Sequence, residues 1–162
     1  MKKIKIFFFI IFVSFSYAPY LAADKEGLED LSFLNVKNSN FKKGNDIFKQ
    51  ALKYKNKNKI KKANKRFEKA LDYFILANRE TPNNIEILKL LGFSYYMVGD
   101  PIMSEIFYQE GLEIDPKNDY INQKLGELYF NTNRIDLAKD RLNVLKNCNC
   151  EEYLQLKKII TK

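Results

Sequence analysis

From residue 41 onward, apolar side chains recur at separations of three and four residues, which is the spacing of one face of an α-helix. Residues 55–59 contain only Lys and Asn, so they interrupt this spacing and predict a turn. A second apolar stripe starts at Ile60 and continues to Thr81 and Pro82, where proline stops a helix. The pattern therefore predicts a helical hairpin over about residues 44–82.

The region after Pro82 repeats with a period of 34 residues, the distance from Pro82 to Pro116. Each copy predicts two helices, 85–98 with 102–114 and then 119–131 with 135–146, and a last helix is predicted over 151–160. The repeated positions are Leu88, Leu91, Gly92, Tyr95, Ser104, Tyr108 and Gly111 in the first copy, and Asn122, Leu125, Gly126, Tyr129, Ala138, Leu142 and Leu145 in the second. A period of this length is typical of a solenoid built from helix pairs.

Two glycines stand at the same place in the two copies, in the middle of a predicted helix. Gly92 and Gly126 each cost about 1 kcal/mol there relative to alanine. A costly residue at a repeated position predicts that another helix approaches the backbone closely at that point.

These repeated residues resemble the signature of the tetratricopeptide repeat (TPR) family over residues 44–150. The first unit matches in part, and it departs from the signature where Ile75 stands in place of the closing proline. The pair Cys148 and Cys150 also resembles the end of some small secreted bacterial TPR proteins. The resemblance implies an all-α fold, an α-solenoid of three TPR helix hairpins (about 44–82, 85–118 and 119–150) with a C-terminal capping helix over 151–162.

The resemblance also implies a function, since TPR proteins bind extended or helical segments in a concave groove lined by the first helix of each pair. We therefore expect a non-catalytic protein–protein interaction scaffold, or adaptor, whose partner is a protein or peptide. The predicted partner-binding groove consists of Phe48, Lys55, Lys89, Phe93, Tyr96, Met97, Tyr120 and Phe130. The alternative is that an N-terminal segment or the last helix covers these aromatic side chains.

One TPR binding mode clamps a C-terminal carboxylate between Lys, Asn and Arg. Phe48 and Leu52 stand where that mode needs Lys and Asn. We therefore expect an amphipathic or aromatic-bearing peptide in place of a carboxylate-terminated one.

The N-terminus carries a pattern of its own. A basic stretch, the apolar run 6–13 and then Leu21-Ala22-Ala23 before Asp24 predict a secretory signal peptide over residues 1–23. The alternative is an uncleaved membrane anchor, for which the apolar run is short. Residues 24–40 are predicted to form a flexible linker, and the protein is expected in the periplasm.

Charge is unevenly distributed along the chain. Residues 37–69 hold 13 Lys or Arg against only Asp46 and Glu68, whereas residues 70–162 hold 11 basic against 14 acidic residues. The basic segment is either a solvated helix face or, as an alternative function, an electrostatic surface over 42–69 that docks on anionic lipid or an acidic partner. An exported protein does not normally meet nucleic acid, so we do not expect nucleic acid as a partner. Short solenoids can also associate through uncovered ends, so a homo-oligomer is a further alternative.

The chain offers little reactive chemistry. It has no His, so the commonest general base and metal ligand near neutral pH is missing, and we expect no enzyme activity, no cofactor and no metal site. Its only cysteines, Cys148 and Cys150, leave three interpretations open. These are a local disulfide, free or intermolecular thiols, and a redox or soft-metal site.

Overall fold

A computed structural model describes residues 32–161 of the chain. Every regular element in this range is an α-helix: α1 (Ser32–Asn56), α2 (Ile60–Glu80), α3 (Ile85–Val98), α4 (Pro101–Ile114), α5 (Asp119–Asn131), α6 (Ile135–Leu145) and α7 (Glu151–Ile160). The helices pair as hairpins α1–α2, α3–α4 and α5–α6, each hairpin packs on the next, and α7 packs on α5 and α6. The predicted all-α solenoid is confirmed. None of the seven helices is long and apolar enough to cross a membrane.

Two N-terminal predictions extend outside the described residues: the signal peptide over 1–23 lies wholly outside them, and the linker predicted over 24–40 lies outside them in its residues 24–31. The rest of the predicted linker is helical, because α1 begins at Ser32 and not near residue 41. The long second helix accounts for this start as far back as Asn40. The Phe41 ring lies 6.4 Å from the ring of Phe74, and Asn40 Nδ2 donates a hydrogen bond of 2.7 Å to Glu80 Oε1, so α2 supports α1 beyond the start of its apolar stripe.

Side-chain caps and left-handed residues set the ends of the later helices. The side-chain oxygens of Asn84, Asp100 and Asn118 accept hydrogen bonds from backbone N–H groups in the first turns of α3, α4 and α5. Gly99 ends α3 at φ 89°, a conformation that glycine adopts at little cost. Asn133 adopts φ 61° in the turn after α5, a conformation that asparagine tolerates better than most residues.

The core rests on close helix–helix contacts at the repeated glycines. A Cβ on Gly92 would lie 2.5 Å from the ring of Tyr108, which is 1% exposed, so α4 places an aromatic ring directly on the α3 backbone. A Cβ on Gly126 would lie 2.5 Å from a methyl group of Leu156, which is fully buried on α7. The predicted close approach is therefore present at both glycines, and α7 occupies the position expected of a solenoid cap.

A disulfide joins Cys148 and Cys150 in the connection between α6 and α7. The sequence leaves three interpretations of these cysteines open, and the structure agrees with the first of them, a local disulfide. The bond closes the short segment from which α7 starts.

Candidate functional site

The first helices of the second and third hairpins, α3 and α5, lie side by side and present a row of mostly half-buried side chains, most of them aromatic or basic. We call this row the α3–α5 face. Its members are Lys89, Phe93, Tyr96 and Met97 on α3, and Tyr120, Lys124, Phe130 and Asn131 on α5. Residues three or four apart lie on the same side of a helix, so the row follows from the helical period itself.

A tyrosine between two lysines forms one part of this face. The Lys89 and Lys124 ammonium groups lie 5.1 and 5.9 Å from the centre of the Tyr120 ring, within the range of a cation–π interaction. Each lysine also has a carboxylate nearby, Lys89 with Glu86 at 2.8 Å and Lys124 with Glu127 at 3.1 Å. The lysines are therefore held in place by their own helices while both carry positive charge at the surface.

The Tyr120 hydroxyl stays neutral in this setting. Burial, and after it the nearby negative charges of Glu127 and Glu86, raise the pKa of Tyr120 well above its usual range. The side chain therefore remains a hydrogen-bond donor at physiological pH. The side chain as a whole keeps part of its surface in solvent.

A hydrogen bond connects the two helices at the other end of the face. Asn131 Nδ2 on α5 donates to the hydroxyl of Tyr96 on α3 at 2.6 Å. Tyr96 and Phe130 both pack against the core of the last two hairpins and remain partly exposed. These contacts hold the rings in fixed positions, which lowers the entropy that a ligand would cost on binding.

Phe93 and Met97 lie where α3 meets the first hairpin. Both pack against the core of that hairpin, and the Phe93 ring lies 5.5 Å from the ring of Phe48 and 5.9 Å from that of Phe67. The prediction that Phe48 lines an open groove is wrong, because its side chain is 7% exposed and its ring fills the space between α1, α2 and α3. Lys55, in the last turn of α1, is exposed.

The structure brings together some of the predicted residues and adds one. Lys89 meets Tyr120, and Tyr96 reaches α5 through Asn131. The sequence prediction missed Lys124, although a residue four positions after Tyr120 shares its helix face. These side chains keep part of their surface in solvent although α7 packs on α5, so α7 does not cover them.

In the described part of the chain, one group of side chains is close enough to hold a metal ion. Ligand atoms of Asp119, Cys148 and Cys150 lie within 4.8 Å of one another. The two sulfurs are bonded to each other, however, so neither offers the thiolate that a soft metal needs.

No protein-family model and no curated protein sequence matches the chain. Solved structures of TPR domains match it in fold. The second TPR domain of human RPAP3, in complex with the HSP70 peptide SGPTIEEVD, is 11% identical with a TM-score of 0.58, over 78% of this chain and 98% of that one. The first TPR of Spaghetti (RPAP3), bound to the HSP90 peptide SRMEEVD, is 17% identical with a TM-score of 0.53, over 74% and 92% of the two chains.

A bacterial structure is also similar. The Yersinia enterocolitica type III secretion chaperone SycD, in complex with a peptide of the translocator YopD, is 15% identical with a TM-score of 0.54. The match covers 72% of this chain and 86% of that one. At these identities the likeness concerns the fold.

Proposed function

We propose that this chain, whose fold is that of TPR domains, is a non-catalytic adaptor that binds a segment of another protein along the α3–α5 face. The observation that carries the proposal is the concentration of half-exposed aromatic and basic side chains on two neighbouring helices. Aromatic residues dominate the binding energy of protein interfaces, because their rings bury a large area at little conformational cost. Three TPR structures of the same fold were solved with peptides, which supports this use of the fold.

The chemistry of the face indicates what kind of segment it binds. Phe93, Tyr96 and Phe130 offer apolar surface, and the Lys89 and Lys124 ammonium groups flank Tyr120. An amphipathic segment fits this face with its apolar side chains on the rings, whereas the two lysines already pair with Glu86 and Glu127 and add little attraction for an acidic group. The ligand is distinct from a peptide clamped by its C-terminal carboxylate, because α1 offers the buried ring of Phe48 where that clamp requires a lysine.

A photocrosslinking experiment tests the α3–α5 face. A photoreactive amino acid at Met97, which is half-buried on this face, is expected to capture a partner protein in the native host. The same amino acid at Ile102, which is 71% exposed on α4, serves as the control for random collisions. Adding Tyr96→Ala and Tyr120→Ala is expected to reduce the Met97 adduct by at least about 30-fold, since the loss of even one central aromatic residue costs an interface about 2 kcal/mol or more.

Two outcomes would contradict the proposal. One is an adduct of equal yield from Ile102, and the other is a Met97 adduct that survives the double substitution. Far-UV circular dichroism and thermal unfolding of the substituted protein must show a folded chain, because Tyr96 and Tyr120 also pack against the core.

We also propose that the adaptor works after export across the inner membrane, in the periplasm. The support is the N-terminal sequence, in which a basic start and an apolar run precede Leu21-Ala22-Ala23. N-terminal sequencing of the protein from the cell envelope is expected to begin at Asp24. A chain that still begins at Met1 would contradict cleavage of the signal peptide and favour an uncleaved membrane anchor.

A further inference from the structure

The first hairpin carries a charge that the rest of the protein does not balance. Every lysine from Lys42 to Lys69 is exposed. In the described part of the chain, the ion pairs all join residues between Glu86 and Lys139, so no carboxylate pairs with this lysine-rich segment. Unpaired like charges repel one another, and an anionic partner would relieve that repulsion.

Part of this charge surrounds a cleft. Residues of α2 and one ring from α1 line an open cleft of about 400 Å³, which we call the basic end cleft. Its lining consists of Tyr54, Lys62, Lys65, Arg66 and Lys69. The four basic residues stand at i, i+3, i+4 and i+7 along α2, so they form one stripe about 10 Å long on a single helix face. No acidic residue belongs to the lining.

The position of the cleft in the solenoid is informative. The first hairpin packs on α3 on one side, and α7 covers the opposite end of the stack. Among the described residues nothing packs on the other side of α1 and α2, where a preceding helical hairpin would stack in a longer solenoid. The cleft lining contains no residue of α3, so the cleft belongs to the first hairpin alone, and its surface is basic.

We propose that the basic end cleft is a second docking surface and that its occupant is an acidic helical segment of a partner protein. Carboxylates at i, i+3 or i+4, and i+7 on one face of a partner helix would match the stripe on α2. The Arg66 guanidinium can hold a carboxylate with two parallel hydrogen bonds, and the Tyr54 ring provides an apolar wall beside them. A flat lipid surface would meet the rim of the cleft and leave its interior unfilled, so the concave shape favours a protein segment over a membrane.

This surface is independent of the α3–α5 face, because it lies on α1 and α2. The chain would then connect two partners, one on each surface. Failure of one docking surface would leave the other intact, so the two proposals can be tested separately.

Two synthetic helical peptides of equal composition provide the test. One carries four glutamates in a single stripe at i, i+3, i+4 and i+7, and the other has them distributed around the helix. Fluorescence anisotropy at low salt is expected to show about tenfold tighter binding of the striped peptide, because only that peptide aligns several charge-assisted hydrogen bonds. Binding should weaken steeply as ionic strength rises.

Two charge-reversal variants locate the site. Lys62→Glu, Arg66→Glu and Lys69→Glu together are expected to weaken binding of the striped peptide about 100-fold, since like charges then face each other. The matched control, Lys42→Glu, Lys43→Glu and Lys49→Glu on α1, changes the net charge equally outside the cleft and should weaken binding only about threefold through the general field. Neutral Lys62→Gln and Arg66→Gln substitutions replace the first variant if circular dichroism shows that it does not fold.

Three outcomes would overturn the proposal. Equal weakening by the cleft and control variants would mean that binding is diffuse. Equal affinity for the two peptides would mean that the stripe is not recognised. Binding to phosphatidylglycerol vesicles without binding to the striped peptide would assign the basic surface to a membrane instead.

Discussion

Replacing Phe67 by alanine is expected to lower the free energy of unfolding by about 3–5 kcal/mol, the range measured for large-to-small changes at buried aromatic residues. The Phe67 side chain is fully buried, and its ring makes edge contacts with Phe48 at 5.5 Å and with Phe93 at 5.9 Å. These three rings come from α2, α1 and α3, so the cavity would open where the first hairpin meets the second. Chemical denaturation followed by circular dichroism measures the loss.

Ile102→Ala serves as the matched control for this prediction. This substitution also truncates a large apolar side chain to a methyl group. Because the Ile102 side chain is 71% exposed, we expect the free energy of unfolding to change by less than about 0.5 kcal/mol. A loss at Phe67 no larger than at Ile102 would show that the aromatic cluster is not packed as described. The same reasoning applies to Phe48. Replacing it should lower the free energy of unfolding, and any loss of ligand binding should follow from that lower stability.

Replacing Gly92 by valine is expected to destabilise the protein by about 3 kcal/mol, at the upper end of the usual cost of overpacking a core. Three atoms of the Tyr108 ring lie within 2.9 Å of the place where a Cβ would stand. That ring is 1% exposed and cannot swing into solvent, so α3 and α4 would have to separate. The better helix propensity of valine compared with glycine offsets less than about 1 kcal/mol of this cost.

A double-mutant cycle separates this contact from other effects of losing a glycine. Gly92→Ala should cost clearly more in the native background than in a Tyr108→Leu background, with a coupling energy of about 1 kcal/mol or more between the two sites. Denaturation midpoints of the four proteins provide the values. Simple additivity of the two changes would argue against a direct ring–backbone contact.

Much of the fold could be predicted from the sequence because local and repeated signals agree. The apolar spacing, the polar turn 55–59 and Pro82 act within a few residues of their own position, and the 34-residue period repeats such local signals along the chain. Gly92 was informative for a related reason, since its cost in a helix is explained only by a neighbour that needs the space. Signals of this kind need no knowledge of distant contacts.

The site was harder to predict because exposure depends on which helices meet. Phe48 occupies a groove position by its place in the repeat, but the long α2 supplies Phe67 and Phe74, whose rings enclose it. The start of α1 was missed for the same reason, since Asn40 is polar and joins the helix through its hydrogen bond to Glu80 on α2. In both cases a partner about 20 or more residues away decides the outcome.

The contact between the Leu156 side chain and Gly126 has a consequence for the order in which the hairpins fold. The first hairpin supplies most of its own core, with Ile87 and Leu91 of α3 added, so it can close before the later helices are available. The third hairpin lacks its outer wall until the segment around Leu156 has also emerged, since that leucine fills the space beside α5. Folding of the chain should therefore start on the N-terminal side and be completed in a late step, when α7 packs on α5 and α6.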